Sequence, residues 1–173
     1  HPIVLLHGMA GFTTWGPFEY FDGIPKALKN AGHEVFLCEV SGYQPIPVRA
    51  VECGEQIDVF LERSGHQRVH LIAHSHGGLD GRYMISKLGY GDRIASLTTL
   101  TTPHRGSMLI DASAALLPDA LEKLLTGGMD ILVNYTRDQA ANVFTQLEML
   151  SAAYMREEFN PENPNDPRVK YYS

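Results

Sequence analysis

The stretch LIAHSHGGLDGRY, Leu71–Tyr83, decides the fold of this 173-residue chain. Its first half is an apolar run typical of a buried strand, and its second half begins a helical pattern. Ser75 lies between the two, with Ala73 and Gly77 two residues before and after it. A sharp strand–turn–helix junction needs small residues at those places, because larger side chains would strike the neighbouring strand or helix. The stretch therefore predicts that Ser75 stands on a nucleophile elbow.

Apolar, strand-like runs alternate with helical patterns on both sides of this stretch. The predicted strands are Ile3–His7, Glu34–Val40, Arg68–His74, Ile94–Thr102 and Arg168–Ser173. The predicted helices are Phe21–Gly32, Val48–Gly65 and Gly78–Gly89, and Gly32 and Gly65 are expected to end the first two. This order predicts one α/β domain over residues 1–173, with a mostly parallel sheet and helices on both faces.

A long insertion separates the last two predicted strands. It covers about residues 108–159, whereas connections in α/β units usually have about 2–6 residues. Its helical stretches are Ser107–Leu117, Pro118–Gly128 and Thr136–Phe159, the last with a capping box of Thr136 and Gln139. The polar, proline-rich segment Asn160–Pro167 is predicted to be a loop that stops the third helix.

One apolar stripe runs along the third helical stretch of the insertion. Its members are Ala140, Phe144, Leu147, Leu150 and Tyr154. One interpretation is that the stripe packs on the core of the domain. The other is that it belongs to a cap or lid whose inner face is apolar because the substrate is apolar. The two interpretations are compatible for different helices.

Composition excludes some classes of function. The net charge is −6 and no block is rich in lysine or arginine, which argues against a nucleic-acid partner. No apolar run approaches the roughly 18–20 residues that span a bilayer. No signal peptide is visible, and because the chain opens directly on a strand we expect residue 1 to be a mature or trimmed start. Cys38 and Cys53 are predicted to be small buried hydrophobes, with a disulfide between them as the alternative.

The segment HGMAG, His7–Gly11, follows the first predicted strand. An oxyanion hole needs two backbone N–H donors aimed at the carbonyl oxygen as it becomes an anion. His76, the residue after the nucleophile, is predicted to supply one donor. Met9 is predicted to supply the other, because Gly8 and Gly11 let the loop turn tightly. The alternative is a plain glycine turn in which Met9 is only a loop hydrophobe.

Several motifs together resemble one family. They are HPIVLLHGMAGF, FDGIPKAL, VSGY, VRAVECGEQI, RVHLIAHSHGG and TTPHRGS. In this order and spacing the chain resembles the bacterial true lipases of the Pseudomonas and Burkholderia type, which have the α/β-hydrolase fold. The resemblance runs from Pro2 to about Ser173 and is weakest in Leu109–Tyr135. It implies that Ser75 is the nucleophile and that Met9 and His76 supply the oxyanion N–H groups.

The histidine that would activate Ser75 is not evident in the chain. α/β-hydrolase triads run in the order Ser, then Asp or Glu, then His, and only His76 and His104 follow the serine. His76 is a poor base because neighbouring side chains on a tight elbow diverge, and His104 matches a structural loop motif of the family. His7 is predicted to be structural, through hydrogen bonds to backbone near the elbow, and His74 is predicted to pack at the elbow.

The resemblance places the triad Asp and His beyond Ser173, together with the family's calcium-binding carboxylates and its disulfide. The last predicted strand ends the chain as it forms, which leaves an open sheet edge. We therefore expect these residues to be the N-terminal part of a longer lipase, the remainder being absent, disordered or a separate piece. No metal or other cofactor is predicted within residues 1–173.

The predicted function is that of a serine carboxylic-ester hydrolase, a triacylglycerol lipase that acts through an acyl-enzyme on lipid esters at a lipid–water interface. The alternatives are another α/β-hydrolase, such as an esterase, thioesterase or acyltransferase, and a catalytically incomplete lipid-binding fragment. The resemblance implies a secreted bacterial protein. The sequence leaves open whether folding requires a lipase-specific chaperone.

Overall fold

Five strands form one parallel sheet in the computed structural model, which describes residues 1–15, 18–108, 110 and 143–173. Numbered in chain order, these strands are β1 (Ile3–Leu6), β4 (Val35–Cys38), β5 (Val69–His74), β6 (Ile94–Leu100) and β7 (Lys170–Tyr172). Their order across the sheet is β4-β1-β5-β6-β7. The strands β2 (Thr14–Trp15) and β3 (Phe18–Glu19) form a separate antiparallel pair. The predicted parallel sheet is confirmed.

Helices connect the strands. The longer ones are α1 (Ile24–Asn30), α2 (Ile46–Ser64) and α3 (His76–Lys87), and a 3₁₀ turn covers Tyr90–Asp92. After β6 the described helical segments are α4 (Val143–Glu148), α5 (Ala152–Tyr154), a π-helical segment (Met155–Phe159) and α6 (Asn160–Glu162). Gly32 and Gly65 have φ of 86° and 72°, so both occupy the left-handed position predicted after a helix end.

The two faces of the sheet are covered by different helices, because successive side chains of a strand point to opposite faces. Ile3 and Leu5 pack with Phe21 and with Leu28 of α1 on one face. Val4 and Leu6 belong to the main core on the other face, which α2 and α3 supply with buried side chains that include Ile57, Met84 and Ile85. Helices therefore lie on both faces, as predicted.

The structure corrects the third helical stretch of the insertion. The predicted helix Thr136–Phe159 is not continuous, because α4 ends at Glu148 and a new helix starts after Ser151. The Ser151 side chain caps that helix by accepting a hydrogen bond from the Tyr154 N–H at 3.2 Å. Ser151 lies within the apolar stripe, and as an N-cap residue it is the sequence signal that a new helix begins there.

The predicted loop Asn160–Pro167 is also wrong in its first part. Residues Asn160–Glu162 are helical and continue the π-helical segment. Pro161 is the second residue of α6, and the chain stays helical through it. The non-helical connection begins at Asn163.

Leu150 and Tyr154 of the apolar stripe pack on the core. Leu150 is buried, and Tyr154 is half-buried, in a cluster formed with Ile46, Leu79, Met155 and Phe159. This agrees with the first interpretation of the stripe. The predicted helices Ser107–Leu117 and Pro118–Gly128 lie almost wholly outside the described residues, as do the capping box Thr136–Gln139 and Ala140. The lid therefore stays a prediction. Among the helices that the structure describes, none is both long and apolar enough to cross a membrane.

Cys38 and Cys53 are buried free thiols, as the first interpretation of these residues predicted. Cys38 ends β4 and Cys53 lies on the inner face of α2, and their sulfur atoms are 2.8 Å apart in a hydrogen bond. The hydrogen bond with Cys38 and burial together raise the pKa of the Cys53 thiol well above its ordinary value. A protonated and buried thiol reacts slowly, because the thiolate is the nucleophilic form.

We expect iodoacetamide to leave Cys38 and Cys53 unmodified in the native protein and to alkylate both in concentrated guanidinium chloride. Burial and the raised pKa of Cys53 are the physical reasons. Peptide mass spectrometry of the two conditions reads each site separately. If denatured protein were alkylated at these positions only after addition of a reducing agent, the two residues would form a disulfide and not a thiol pair.

Candidate active site

Ser75 occupies the junction between β5 and α3 in a strained backbone conformation. Its φ and ψ are 53° and −125°, values that a non-glycine residue seldom adopts. The end of β6 and the residues after it hold this conformation: the Ser75 N–H donates to Leu100 O, and Thr102 Oγ1 donates to Ser75 O, both at 2.8 Å. The strand–turn–helix context predicted from the sequence is therefore present, and it places the half-buried serine at the carboxyl edge of the sheet.

The small residues around Ser75 are explained by close backbone contacts. A Cβ atom on Gly77 would lie 2.6 Å from His7 O and 2.9 Å from Leu6 O, and neither carbonyl can move without displacing β1. Glycine at position 77 is therefore required. Ala73, two residues before Ser75, is fully buried and pairs with Leu6 across the sheet. The methyl group of Ala73 is accommodated without any exposed surface.

The loop after β1 approaches the elbow closely. A Cβ atom on Gly8 would lie 2.9 Å from Ser75 Cβ, and one on Gly11 would overlap the His7 ring. The left-handed residue of this loop is Ala10, with φ 54°. The sequence predicted that Gly8 and Gly11 serve this loop by letting it turn tightly. The structure gives a different reason: neither position has room for a side chain.

The Met9 N–H differs from the neighbouring donors of its loop. The N–H groups of Gly8, Ala10 and Gly11 donate to Tyr20 Oη, Gly42 O and Gly8 O at 3.1, 2.9 and 3.2 Å. Within the described ranges of the chain, no acceptor is found for the Met9 N–H. The Met9 side chain is half-buried and packs against the apolar cluster of Leu150 and Phe159.

His76 is the first residue of α3, two residues earlier than the predicted helix start. The first N–H groups of a helix have no intrahelical partner, and the helix dipole gives this end a positive partial charge. The His76 side chain is fully buried, and its Nδ1 lies 3.0 Å from Asp80 Oδ1. His76 therefore turns its side chain into the protein and can offer only its backbone N–H at the elbow.

A buried ion pair, not anticipated from the sequence, lies behind the loop and the elbow. Arg49 Nε donates to Asp80 Oδ2 at 2.8 Å, and both side chains are fully buried. Burial disfavours the ionised Asp80, but Arg49 and then His76 outweigh it and hold the pKa of Asp80 below its ordinary value. On the inner face of α2, Arg49 lies one helical turn before Cys53 and two turns before Ile57. This spacing was the sequence signal that Arg49 is buried.

His7 is a neutral structural residue in this site. Its Nδ1–H donates to Gly8 O at 2.9 Å, and its Nε2 accepts from the Val40 N–H at 3.3 Å. Burial, with a smaller contribution from Arg49, lowers the pKa of His7 from 6.5 to about 4. The predicted hydrogen bonds of His7 to nearby backbone are observed.

The other histidines near the elbow have polar partners of their own. His74 Nδ1 is hydrogen-bonded to Tyr20 Oη at 2.6 Å, so His74 does more than pack at the elbow. His104 Nε2 is 3.0 Å from Thr99 Oγ1, and its Nδ1 is 3.4 Å from Arg82 Nη1. Burial lowers the pKa of His104. His7, His74, His76 and His104 are thus each engaged by a residue other than Ser75.

The residues that the structure describes do not group into a metal centre: no three His, Cys, Asp or Glu side chains among them lie together in a way that could hold an ion. The described groups at the elbow are instead a serine hydroxyl, the first N–H groups of α3, and a loop after β1 that lies against the Ser75 side chain. A serine on a strained elbow beside such donors is the arrangement that acyl-transfer enzymes use to stabilise a tetrahedral anion.

Comparison with known proteins assigns the fold family. A family model described as the alpha/beta hydrolase fold matches residues 1–172, and the chain belongs to this family. The chain is similar to the triacylglycerol lipase of Vibrio cholerae, with 36% identity over 118 residues that cover 68% of this chain and 37% of that protein. It is also similar to the triacylglycerol lipase of Pseudomonas fragi, with 38% identity over 111 residues, 64% of this chain and 37% of that protein. The resemblance to bacterial lipases is confirmed.

The fold recurs in solved structures. The mature form of the Bacillus licheniformis lipase BlEst2 superimposes with a TM-score of 0.73 and 23% identity, over 98% of this chain and 63% of that chain. This likeness shows that the two proteins have the same fold. The present chain spans less than half the length of the two curated relatives named above.

We expect acid to destabilise the folded state through His7. Because its pKa is about 4 in the folded protein and 6.5 ordinarily, the unfolded chain binds the proton more readily. The associated stability is complete above pH 6.5 and is lost as the pH falls through 4, by about 3 kcal/mol in total. Urea unfolding of wild type and His7→Gln across this range isolates the contribution, since His7→Gln should flatten the dependence by that amount.

The matched control for this measurement is His33→Gln, because His33 is an exposed histidine outside the site. We expect this variant to retain the pH dependence of wild type. If the free energy of unfolding changed with pH equally in wild type and His7→Gln, His7 would be protonated with similar ease in the folded and unfolded states. That result would contradict the prediction.

Proposed function

We propose that the protein to which this chain belongs is a serine carboxylic-ester hydrolase, specifically a triacylglycerol lipase. The observation that carries the proposal is the strained Ser75 at the start of α3, with the loop after β1 against its side chain. The proposed oxyanion donors are the Met9 N–H of this loop, for which the described residues offer no acceptor, and the first N–H of α3 at His76. The names of the similar proteins, triacylglycerol lipases of Vibrio cholerae and Pseudomonas fragi, support the same activity.

The surroundings of the loop support a lipid ester as substrate. Met9 packs against a cluster that contains Ile46, Leu79 and Phe159, and the half-buried Ile110 and Tyr154 join the same cluster. An acyl chain is apolar and gains free energy when it leaves water, by about 0.8 kcal/mol for each buried methylene. The half-buried Met9, Ile110 and Tyr154 thus form an apolar wall on this buried cluster, and we infer that the wall receives the acyl chain and favours esters with long acyl chains.

The proposed mechanism proceeds through an acyl-enzyme. Ser75 Oγ attacks the acyl carbon and gives its proton to a histidine base, and the carbonyl oxygen becomes an anion that the N–H groups of Met9 and His76 stabilise. Collapse of this intermediate expels the protonated alcohol and leaves the acyl group on Ser75. Water, deprotonated by the same base, then releases the fatty acid. Each backbone donor of this kind is worth about 10²–10³ in rate.

Other parts of the machinery stay predictions. The base and its acid partner, and the structural calcium implied by the resemblance, would lie beyond Ser173 in the full-length protein or on a separate piece of it. Secretion and a lipase-specific folding chaperone are likewise expectations that follow from the resemblance to secreted bacterial lipases.

We expect a fluorophosphonate probe to label the full-length protein at Ser75, because an activated serine attacks phosphorus as it attacks an acyl carbon. Ser75→Ala should abolish labelling, and Ser64→Ala should not change it, since Ser64 only contacts Leu61 O at the end of α2. Tryptic mass spectrometry identifies the labelled residue. Labelling of another serine, or no labelling of full-length protein, would contradict the assignment.

Hydrolysis rates on p-nitrophenyl esters and on emulsified triacylglycerol separate a lipase from related enzymes. The apolar wall predicts that kcat/KM rises from acetate to octanoate by at least about tenfold, and that the triacylglycerol emulsion is hydrolysed. Higher rates on acetate, or on a thioester, would indicate an esterase or thioesterase. Lipid binding without turnover would indicate a non-catalytic lipid-binding protein.

A further inference from the structure

Arg49 joins three segments at the carboxyl edge of the sheet. It extends from α2, where its side chain is fully buried. One terminal nitrogen donates to His7 O at 2.8 Å and to Gly8 O at 3.3 Å, and the other donates to Ser41 O. The His7 and Gly8 carbonyls belong to the loop that presents the Met9 N–H. Arg49 therefore holds the backbone of one proposed half of the oxyanion hole.

Asp80 extends the same connection to the other half. It lies one turn into α3, accepts from Arg49 Nε at 2.8 Å, and places its second oxygen 3.0 Å from His76 Nδ1. His76 is the residue whose backbone N–H follows the nucleophile. One continuous set of buried polar contacts thus runs from the loop after β1, through Arg49 and Asp80, to the first residue of α3.

We propose that the Arg49–Asp80 pair is a positioning clamp, which fixes the loop His7–Gly11 and the first turn of α3 at the separation that lets Met9 and His76 bind one oxyanion together. The inference rests on the proposed function and adds two residues to it. Arg49 and Asp80 are positioning residues because neither is placed to touch the substrate. The clamp acts on donor geometry, and a displacement of about 1 Å at such a site can cost up to about 100-fold in rate.

The chemistry of the pair favours positioning over stability. A buried ion pair loses the hydration of both charges, so it often stabilises a fold no better than apolar residues of the same volume. Its benefit is geometric. The planar guanidinium of Arg49 presents donors in fixed directions, which a lysine ammonium cannot reproduce. Four acceptors on three segments, Asp80, His7, Gly8 and Ser41, use those directions.

The test compares variants of the full-length protein. Arg49→Lys keeps the positive charge and loses the planar guanidinium with its fixed donor directions. Asp80→Asn keeps the shape of the side chain and loses its negative charge. The double variant Arg49→Met with Asp80→Asn removes both charges, so that no unpaired buried charge prevents folding. Asp58→Asn is the matched control: Asp58 is also a carboxylate on α2, and it accepts from Tyr90 Oη at 2.9 Å and pairs with Arg93 Nε at 3.0 Å, both on the segment after α3.

The rate measurements use p-nitrophenyl butyrate, with active-site titration to count folded, reactive molecules. A trifluoromethyl ketone, which forms an anionic tetrahedral adduct on the serine, reports the oxyanion hole directly. We expect kcat to fall about tenfold in each single variant and about 100-fold in the double variant, with KM within about twofold of wild type. The inhibition constant of the ketone should rise by the same factors, because only the transition state uses the clamp. Asp58→Asn should change neither quantity more than about twofold.

Hydrogen exchange gives a readout that does not depend on activity. The clamp predicts faster exchange in Arg49→Lys, both in residues 8–11 and in residues 76–79, with Asp58→Asn like wild type. A lower melting temperature with unchanged kcat and ketone affinity would overturn the clamp. So would a fall in kcat without weaker ketone binding, or unchanged exchange in the two segments. Wild-type protein that neither reacts with a fluorophosphonate nor hydrolyses esters would instead refute the proposed function, and exchange alone would then decide whether the pair holds the two segments.

Discussion

The structure around Ser75 depends on how closely the backbone of the first turn of α3 lies against the end of β1. Gly77 has no space for a Cβ atom because the carbonyls of Leu6 and His7 occupy it. At the same point Gly8 lies against the Ser75 side chain. This contact brings the loop after β1 and the first turn of α3, which are far apart in sequence, together at the Ser75 side chain. The glycines of the site allow the two backbone segments to lie this close, and the hydrogen bonds around them keep the segments in place.

Backbone polar groups that are buried by this approach need partners, and residues from several elements bind the backbone of the loop and of the elbow. The loop after β1 is bound by Tyr20, by Gly42 and by Arg49. The elbow is bound by the end of β6 through Leu100 and Thr102. Since a buried polar group without a partner costs about 1–3 kcal/mol, these contacts hold the backbone in a single arrangement. The Met9 N–H stands out because the neighbouring donors of its loop are all engaged.

Local sequence was a good guide to the elements and a weaker guide to their ends. The strand series, Gly32 and Gly65 as helix ends, and the junction at Ser75 follow from apolar periodicity and from the conformational freedom of glycine. The third helix of the insertion was predicted too long because the apolar stripe outweighed Ser151, which caps a new helix. The helical Asn160–Glu162 was predicted as loop because prolines dominated the pattern, although the chain stays helical through Pro161.

By itself the sequence determined the parallel α/β fold, the elbow at Ser75, the two candidate N–H donors and the structural nature of His7. These follow from residue types at short range, because tight turns and buried strands admit few side chains. Only the tertiary structure decided that Arg49 meets Asp80, 31 positions away, and that Tyr20 pairs with His74, 54 positions away. It also decided that Gly8 and Gly11 are needed for space and not for flexibility. Short-range patterns carry no information about distant partners or about the room between them, since the packing of β1, α2 and α3 against one another sets both.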